Sequence, residues 1–323
     1  MTTTQLSIGK LRGLKQCSSP RATFTCLALD HRQNLRRALN PAKPGSVSDA
    51  DLTHFKLEVT AALVGVATAV LLDPEFSAAQ AIATGDLSGK TPFVVAVEST
   101  GYSGEPTARL SHILPGWSVE KAKRMGASMI KLLVYYHPDS PTANDIEAFV
   151  RKVVDECNHN DLGLMLEPLS YALQADRKLA SGEKRYVVTE TARRLTIPGV
   201  DVLKVEFPLD IAADPFESGW VKACGEVSSA SQAPWILLSA AVDYETYLHQ
   251  VKAACQAGAS GIAVGRAVWQ EAVGLTGQER AAFLKDIARP RLEALSNLCT
   301  ELARPWTDFY SSSKITPGWY KEY

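Results

Sequence analysis

The stretch Asp201-Val202-Leu203-Lys204-Val205-Glu206-Phe207-Pro208 places a lysine in the middle of an otherwise apolar run. The residues are largely apolar and β-branched, a Pro-Gly pair precedes them and a proline closes them, which is typical of a short buried strand. A lysine is almost never fully buried without a partner, because removing its ammonium from water is costly. Lys204 is therefore either a Schiff-base amine, whose lone pair becomes nucleophilic, or a side chain that extends from a strand end to water.

Seven similar runs flank this stretch and alternate with segments of helical period. The predicted strands are 23–30, 69–72, 93–97, 129–134, 163–166, 200–207, 235–238 and 261–264, and the predicted helices are 49–64, 118–125, 142–158, 183–195, about 215–224, and 244–256. Ser48 and Ser118 are predicted N-caps, and Asp51 stands at capping-box spacing from Ser48.

Eight strands with intervening helices and no break in composition predict a single-domain (β/α)8 barrel over residues 1–323. A doubly wound open sheet is the alternative, but it normally begins with a glycine-rich phosphate turn, and here the first strand ends in Asp30-His31-Arg32. A short N-terminal extension, about 1–20, and an aromatic tail, about 304–323, complete the prediction. The aromatic tail is expected to pack on the barrel or on a neighbouring subunit, and together with the apolar helix faces it suggests a homodimer.

Composition excludes several classes of function. The chain has 323 residues, of which 46% are hydrophobic and 21% charged, with a formal net charge of -1. This balance gives no support to a nucleic-acid or anionic-membrane partner. The longest apolar stretches, such as 61–72, are too short for a membrane span, and the segment 1–5 lacks the pattern of a signal peptide. The six cysteines form no Cys-x-x-Cys pair, which predicts buried, reduced thiols in a cytoplasmic protein.

Polar residues stand on or just after every predicted strand. Barrel enzymes place their chemistry at the carboxyl ends of the strands, so these positions are candidate site residues: Asp30, Asp73, Glu98, Lys131, Glu167, Lys204, Ser239 and Gly265-Arg266. A carboxylate at a strand end can instead cap the following helix, and this alternative stays open for Asp73 and Glu98.

Two lysines and a glutamate are expected to meet inside the barrel. Side chains in one layer come from alternate strands, so Lys131 on the fourth strand and Lys204 on the sixth can share a layer. A second ammonium nearby favours the neutral form of an amine, which a Schiff-base nucleophile needs. Glu167, on the strand between them, can exchange protons with a substrate hydroxyl, or it can pair with Lys131, and the two interpretations are compatible.

The turns after the seventh and eighth strands predict an anion site. Barrels often bind phosphate there through backbone N–H groups, and Arg266 beside Ser239 and Gly265 adds a guanidinium suited to phosphate or sulfonate. The alternative for Arg266 is stacking on Trp269 or pairing with Glu271.

With these residues identified, the chain resembles the class I tagatose 1,6-bisphosphate aldolase family, the LacD-like aldolases, over nearly its full length. The resemblance is carried by the segments 27–32 (LALDHR), 99–102 (STGY), 131–136 (KLLVYY), 166–168 (LEP), 201–208 (DVLKVEFP) and 263–266 (AVGR). It implies a (β/α)8 fold, no metal or other cofactor, and reversible cleavage of a ketose 1,6-bisphosphate to dihydroxyacetone phosphate and glyceraldehyde 3-phosphate. The dispersed histidines also disfavour a zinc-dependent aldolase.

The resemblance further implies residue roles. Lys204 would form the imine, Glu167 would carry protons, and Lys131 and Asp30 would position the substrate. Ser239, Gly265 and Arg266 would hold the phosphate on the dihydroxyacetone side, and His31 and Arg32 would complete the binding set.

One position departs from the family pattern. His31 replaces the glutamine of the family's Asp-Gln-Arg, at a position expected to help recognise the far end of the substrate. A sulfofructose-phosphate aldolase, which accepts a sulfonate in place of the second phosphate, is therefore an alternative. A hypothesis of another class is a sugar-phosphate-binding barrel that regulates a partner without turnover.

Overall fold

The computed structural model describes residues 3–240, 242–321 and 323. Four residues lie outside the described ones: Met1 and Thr2 of the predicted extension, Glu322 of the predicted tail, and Ala241.

The predicted (β/α)8 barrel is confirmed. Eight parallel strands close in chain order, each pairing with the next and β8 pairing with β1. They are β1 (Phe24–Ala28), β2 (Ala69–Leu72), β3 (Phe93–Ala96), β4 (Met129–Tyr135), β5 (Gly163–Leu169), β6 (Val202–Val205), β7 (Trp235–Leu238) and β8 (Gly261–Val264).

Twelve α-helices are present in the described ranges, of which α1 covers the N-terminal face of the barrel and most others surround the strands. They are α1 (Ile8–Cys17), α2 (Gln33–Leu39), α3 (Asp49–Leu63), α4 (Ala78–Thr84), α5 (Val119–Arg124), α6 (Ala143–His159), α7 (Ser181–Leu195), α8 (Glu217–Ala230), α9 (Tyr244–Gln256), α10 (Arg266–Trp269), α11 (Gly277–Phe283) and α12 (Arg289–Leu302). Four short strands lie outside the barrel: Thr4–Leu6 pairs with Tyr310–Ser312, and Ser103–Glu105 pairs with Ala108–Leu110 in a hairpin.

The capping predictions are confirmed. Ser48 and Asp51 form a reciprocal capping box at the start of α3, and the Ser118 side chain accepts a hydrogen bond from the Lys121 N–H at the start of α5. The predicted end of α8 was wrong by six residues, because the helix continues from Cys224 to Ala230. Glycine and serines in this last part have low helix propensity, but buried Val227 and Ala230 hold it against the core.

Several helices were not predicted from the sequence. These are α1 in the N-terminal extension, α2 and α4 in the first two βα connections, and the helices after β8. In α1, two glycines and three basic residues hide the helical pattern. The glycines serve packing: a Cβ on Gly13 would lie 2.3 Å from the Ser128 carbonyl oxygen, so only glycine lets α1 approach the start of β4 this closely.

The N-terminal face of the barrel is closed by α1 and the C-terminal segment. Trp306 is buried and its indole N–H donates to Ser18 Oγ at 2.9 Å, and the Tyr310 hydroxyl donates to the Asp201 carbonyl at 3.1 Å. On this side the barrel interior is filled by apolar residues that include Met129 and Met165. The polar interior therefore lies at the opposite, carboxyl-terminal face.

All six cysteines are free and buried. In the described ranges, no helix combines the length and the apolar character needed to cross a membrane.

Asp73, at the end of β2, has a structural role. It is fully buried, pairs with fully buried Lys56 of α3, and accepts backbone N–H groups of Glu75 and Phe76 at 3.0 and 2.8 Å. Burial lowers the pKa of Lys56, and the Asp73 charge opposes that effect. The sequence left two interpretations of Asp73 open, a site residue and a structural capping residue. These contacts support the structural one.

We expect Lys56→Met to lower the free energy of unfolding by about 3–5 kcal/mol, because it leaves the Asp73 carboxylate buried without its counter-charge. Urea denaturation followed by circular dichroism measures the change. Lys152→Met, at an exposed position of α6, is the control and should change stability by less than about 0.5 kcal/mol. A loss below about 1 kcal/mol for Lys56→Met would contradict the assignment.

Candidate active site

A cavity of about 670 Å³ opens at the carboxyl ends of the barrel strands. It is lined by nine of the site residues predicted from the sequence: Asp30, His31, Arg32, Lys131, Glu167, Lys204, Ser239, Gly265 and Arg266. Glu98 also lines the cavity, whereas Asp73 is not among its lining residues. The strand ends therefore bring together residues that are up to 236 positions apart in the chain, from Asp30 to Arg266.

Strand register places Lys204 beside Glu167. Leu166 of β5 pairs with Leu203 of β6, so the next residue along each strand lies alongside the other. The Lys204 ammonium nitrogen is 2.9 Å from Glu167 Oε2, and the two residues are 4% and 7% exposed. The lysine side chain therefore points into the cavity rather than to bulk water, against the interpretation of a lysine that extends to solvent.

Lys131 is the most enclosed charge of the site. Its nitrogen lies 2.8 Å from Asp30 Oδ2, 2.7 Å from Glu98 Oε1 and 2.9 Å from Glu167 Oε2. Burial alone would lower the pKa of Lys131, but the three carboxylates outweigh it and hold the pKa well above its usual range. Lys131 is thus a permanent cation that fixes the positions of the carboxylates around it.

The same charges act on the carboxylates. Burial raises the pKa of Asp30 and of Glu167, but the positive charges of Lys131 and Lys204 outweigh burial and lower both pKa values. Glu167 Oε2 approaches both ammonium nitrogens without the angle of a hydrogen bond, so these contacts are ion pairs. Glu167 is therefore an ionised base in contact with both amines.

Glu98 completes the group from the end of β3. Its second carboxylate oxygen accepts the Leu133 N–H at 3.1 Å, and its backbone carbonyl accepts from Arg32 Nη2 at 2.8 Å. Arg32 also pairs with Glu75 at 2.8 Å. The guanidinium of Arg32 therefore already holds two protein acceptors, although the residue lines the cavity as predicted.

The predicted anion site lies where β7 and β8 end. The Gly265 N–H donates to Ser239 Oγ at 3.4 Å, and Gly265 directly precedes Arg266 at the start of α10. A Cβ on Gly265 would lie 2.9 Å from the Ala28 carbonyl oxygen, so glycine permits the close approach of this turn to β1.

The Arg266 side chain has no protein acceptor among residues 3–240, 242–321 and 323. The predicted alternatives for it are taken up by others: Glu271 pairs with Arg291 at 2.7 Å, and Trp269 packs edge-to-face on His31. Burial lowers the pKa of Arg266, and the charges of Asp30 and Glu167 oppose that effect. The guanidinium is a cation in position for an anion from outside the chain.

His31 lies next to this turn. Its Cε1 atom would be 3.0 Å from a Cβ on Gly265, and its ring centroid is 5.3 Å from that of Trp269. Burial lowers the pKa of His31 to about 4, and the positive charge of Arg266 adds to this effect. The sequence assigned His31 to the far end of the substrate, whereas the structure places it on the same side of the cavity as Arg266.

Sequence reasoning missed several residues of the cavity wall. Tyr102, Tyr135, Glu206 and Arg37 line it without having been assigned a role. The first three stand within segments that carry the family resemblance, so the motif itself was an available signal. Arg37 lies on α2. Because this helix was not predicted, nothing in the sequence indicated that the Arg37 side chain faces the cavity.

The arrangement supplies a buried amine, an ionised carboxylate touching it, and an unpaired guanidinium at the rim. These are the groups that nucleophilic attack on a carbonyl, proton transfer and anion binding require. Within the described part of the chain, no three His, Cys, Asp or Glu side chains group as metal ligands. The prediction of a cofactor-free reaction stays a prediction.

Comparison with known proteins identifies the family. The model of the DeoC/LacD family aldolases matches residues 24–271. The tagatose 1,6-diphosphate aldolase of Listeria monocytogenes is 30% identical, with 95% of this chain and 96% of that protein covered, and tagatose 1,6-diphosphate aldolase 2 of Enterococcus faecalis is 32% identical, with 93% and 96% covered. The chain belongs to the DeoC/LacD family of aldolases, and it is a carbon–carbon lyase.

A solved structure is similar in fold. An archaeal fructose 1,6-bisphosphate aldolase superposes with a TM-score of 0.61 and 22% identity, over 91% of this chain and 99% of that one. At this identity the likeness establishes the shared barrel fold.

The buried histidine predicts a pH dependence of stability. Because the pKa of His31 is about 4 in the folded protein and about 6.5 in an unfolded chain, the unfolded state binds more protons between these values. Stability therefore falls as pH decreases through this window. We expect His31→Gln to remove about 2 kcal/mol of the loss that the wild type shows between pH 7 and pH 5.

Urea unfolding at the two pH values measures this difference. His54→Gln is the matched control, because the His54 side chain is 73% exposed, and it should leave the pH dependence unchanged. Equal losses in wild type and His31→Gln would show that His31 does not titrate as its surroundings imply.

Proposed function

We propose that this aldolase is a class I, Schiff-base enzyme that reversibly cleaves a ketose 1,6-bisphosphate, tagatose 1,6-bisphosphate, to dihydroxyacetone phosphate and glyceraldehyde 3-phosphate. The observation that carries the proposal is the contact of the buried Lys204 amine with Glu167 at 2.9 Å inside the cavity. The tagatose 1,6-diphosphate aldolases at 30% and 32% identity support the substrate.

The first stage joins the lysine to the substrate. The Lys204 ammonium first gives a proton to Glu167, the base in contact with it, and the neutral amine attacks the C2 ketone carbon. A proton then moves from the nitrogen of this adduct to the former ketone oxygen, which gives the carbinolamine. Glu167 returns its proton to the carbinolamine hydroxyl, which leaves as water. The product is a protonated imine at C2, which can accept the electron pair of a neighbouring carbon–carbon bond.

The second stage breaks the bond. Glu167, directly or through a water, removes the proton of the C4 hydroxyl, the C3–C4 electron pair moves toward the iminium nitrogen, and the aldehyde is released. The remaining enamine takes at C3 the proton that Glu167 removed, which leaves Glu167 ionised again. Addition of water to the regenerated iminium then releases the three-carbon ketone and the free amine.

The other charges position the substrate. Lys131 keeps Asp30 and Glu167 ionised and fixed, so both can accept hydrogen bonds from substrate hydroxyls. Arg266, with Ser239 and the Gly265 backbone, would bind the phosphate on the dihydroxyacetone side. His31 and Arg32 would contact the substrate from the β1 side of the cavity.

Borohydride trapping with dihydroxyacetone phosphate tests the nucleophile. We expect a reduced adduct on Lys204 and none on Lys131, because three carboxylates hold the Lys131 amine protonated. Peptide mass spectrometry locates the adduct. Lys204→Met should abolish it and lower turnover by about 10⁴-fold or more.

An adduct on Lys131, or full turnover in Lys204→Met, would exclude the proposed nucleophile. A barrel that binds sugar phosphates for regulation, without turnover, predicts a third result: melting shifts with the phosphorylated ketose but neither adduct nor product.

Glu167→Gln tests the proton carrier. The amide keeps the shape and cannot take up a proton, so we expect kcat to fall by about 10²- to 10⁴-fold. Glu98→Gln is the matched control, because Glu98 also pairs with Lys131, whereas the ion pair of Lys204 is with Glu167. Steady-state kinetics of both variants should show the much larger fall in kcat for Glu167→Gln, and equal falls would contradict the assigned role.

A sulfofructose-phosphate aldolase is the second candidate that the sequence raised through His31, but His31 lies beside Gly265 on the Arg266 side of the cavity and does not discriminate between the two second anions. The chemistry at Lys204 would be unchanged, and only the second anion of the substrate would differ. Parallel turnover of the bisphosphate and of the corresponding sulfo compound distinguishes the two, since a large preference for the sulfo compound would replace the first candidate.

A further inference from the structure

The guanidinium of Arg109 is held by three tyrosine rings. Its central carbon lies 4.4 Å from the ring centroid of Tyr102, 4.6 Å from that of Tyr171 and 5.3 Å from that of Tyr135. Cation–π contact of this kind positions an arginine and leaves the N–H groups in the guanidinium plane available. The three rings therefore form a cage that fixes a positive charge.

Hydrogen bonds of Nε and of the backbone carbonyl also hold Arg109 in place. Arg109 lies in the hairpin strand Ala108–Leu110, its Nε donates to the Pro106 carbonyl at 2.9 Å, and its own carbonyl accepts from Thr142 Oγ1 at 3.1 Å. Across the described residues, no carboxylate pairs with its guanidinium, and its two terminal nitrogens have no hydrogen-bond acceptor. The Arg109 guanidinium is thus held in position by its neighbours, and no carboxylate of the described residues neutralises its charge.

The cage lies opposite the first anion site. In a closed eight-stranded barrel the position opposite β7 is β3, and the position opposite β8 is β4. Arg109 belongs to the connection after β3, and Tyr135 ends β4, whereas Arg266 follows β8. Tyr102 and Tyr135 line the cavity on the side facing away from Arg266, and Arg109, which is not itself a lining residue, stacks on both rings directly behind this wall.

The centre of the cavity gives a reason for a second cation. Three carboxylates surround Lys131 there, and they repel an anionic substrate group, so a second anion is stable only at the rim. The guanidinium of Arg32 does not fill this role, because it already donates hydrogen bonds to the Glu75 carboxylate and to the Glu98 carbonyl oxygen.

We propose that Arg109 binds the second tetrahedral oxyanion of the substrate, phosphate or sulfonate, on the side of the cavity opposite Arg266, and is the residue that selects doubly anionic ketoses. The inference rests on the proposed function, because it assigns the second substrate anion of that reaction. The substrate spans the cavity between the two guanidiniums, with its ketone over Lys204.

Kinetics on three ketoses test the assignment. Each carries a 1-phosphate, and position 6 carries phosphate, sulfonate or a neutral hydroxyl. We expect Arg109→Gln to raise KM about 10- to 100-fold for the physiological anion at position 6, with kcat changed less than about 3-fold. The neutral ketose should change less than about 3-fold, and the anionic substrate that loses most identifies the anion.

Three variants complete the kinetic test. Arg109→Lys keeps the charge and should recover part of the affinity. Arg304→Gln is the matched control, because its guanidinium also stacks on a ring, Phe309 at 4.3 Å, in the C-terminal segment. Arg37→Gln tests an arginine of α2 that does line the cavity, and a loss there with none in Arg109→Gln would overturn the proposal. A loss of equal size on all three ketoses would overturn it as well.

Titration calorimetry with inorganic phosphate gives a measurement independent of turnover. We expect two bound phosphates in the wild type and one in each of Arg109→Gln and Arg266→Gln. Two phosphates retained by Arg109→Gln would exclude the site. Absence of a Lys204 adduct in the wild type would instead exclude the Schiff-base mechanism, and the phosphate count would still decide the role of Arg109.

Discussion

The ammonium of Lys131 is the charge on which the arrangement of the site depends. It stands on β4, and the carboxylates that surround it come from β1, β3 and β5, all within 2.9 Å. Without it the three carboxylates would repel one another in a cavity shielded from water, and burial would raise the pKa values of Asp30 and Glu167 unopposed by its charge. The ammonium keeps them charged and close. One of them, Glu167, is thereby held against Lys204.

The alternation of strands in a barrel makes this possible. The carboxylates come from β1, β3 and β5 and the two amines from β4 and β6, so carboxylates and amines alternate from β3 to β6 along the barrel interior. A substitution of one of these charged residues would therefore change the electrostatic surroundings of the charged residues on both neighbouring strands. The chemistry of Lys204 is therefore coupled to Lys131 through Glu167, although the two amines lie on strands that do not pair with each other.

The stretch around Lys204 ties the two faces of the barrel together. Asp201, three residues earlier, pairs with Lys10 of α1 at 3.0 Å, and its carbonyl accepts from Tyr310 of the C-terminal segment. Burial raises the pKa of Asp201, and the Lys10 charge opposes that effect. Because α1 and the C-terminal segment hold the residue just before β6, the backbone of this strand is fixed, and the Lys204 amine is held in one position.

The strands and the positions of the site residues could be predicted from the sequence because both follow from local pattern. A buried parallel strand is a short apolar run, and a barrel places the residue after each run at one face. The order of the eight runs then gave the fold and the cavity together.

What could not be predicted depends on contacts between distant residues. The helix α1 exists because Gly13 fits against the start of β4, and α8 extends to Ala230 because the core receives its last turn. The role of Arg109 rests on rings from three different connections, which meet only in the folded chain. No spacing in the sequence carries that information.

Asp73 and Glu98 show the same limit within the site. Both follow a barrel strand, and the strand pattern alone does not distinguish a structural role from a role in the site. The difference is which lysine pairs with each of them: Lys56 of α3 pairs with Asp73, and Lys131, which lines the cavity, pairs with Glu98. A partner 17 residues earlier on a helix is invisible to a pattern of strand ends.

Burial of a lysine therefore indicates a partner rather than chemistry. Among the described residues, Lys10, Lys56, Lys131 and Lys204 are buried, and each touches a carboxylate. Only the last two line the cavity, which separates structural from functional positions. Between those two, Lys131 has three carboxylate contacts and Lys204 has one. A nucleophile must give up its proton and its contacts to react, so the lysine with the fewest partners is the one suited to attack.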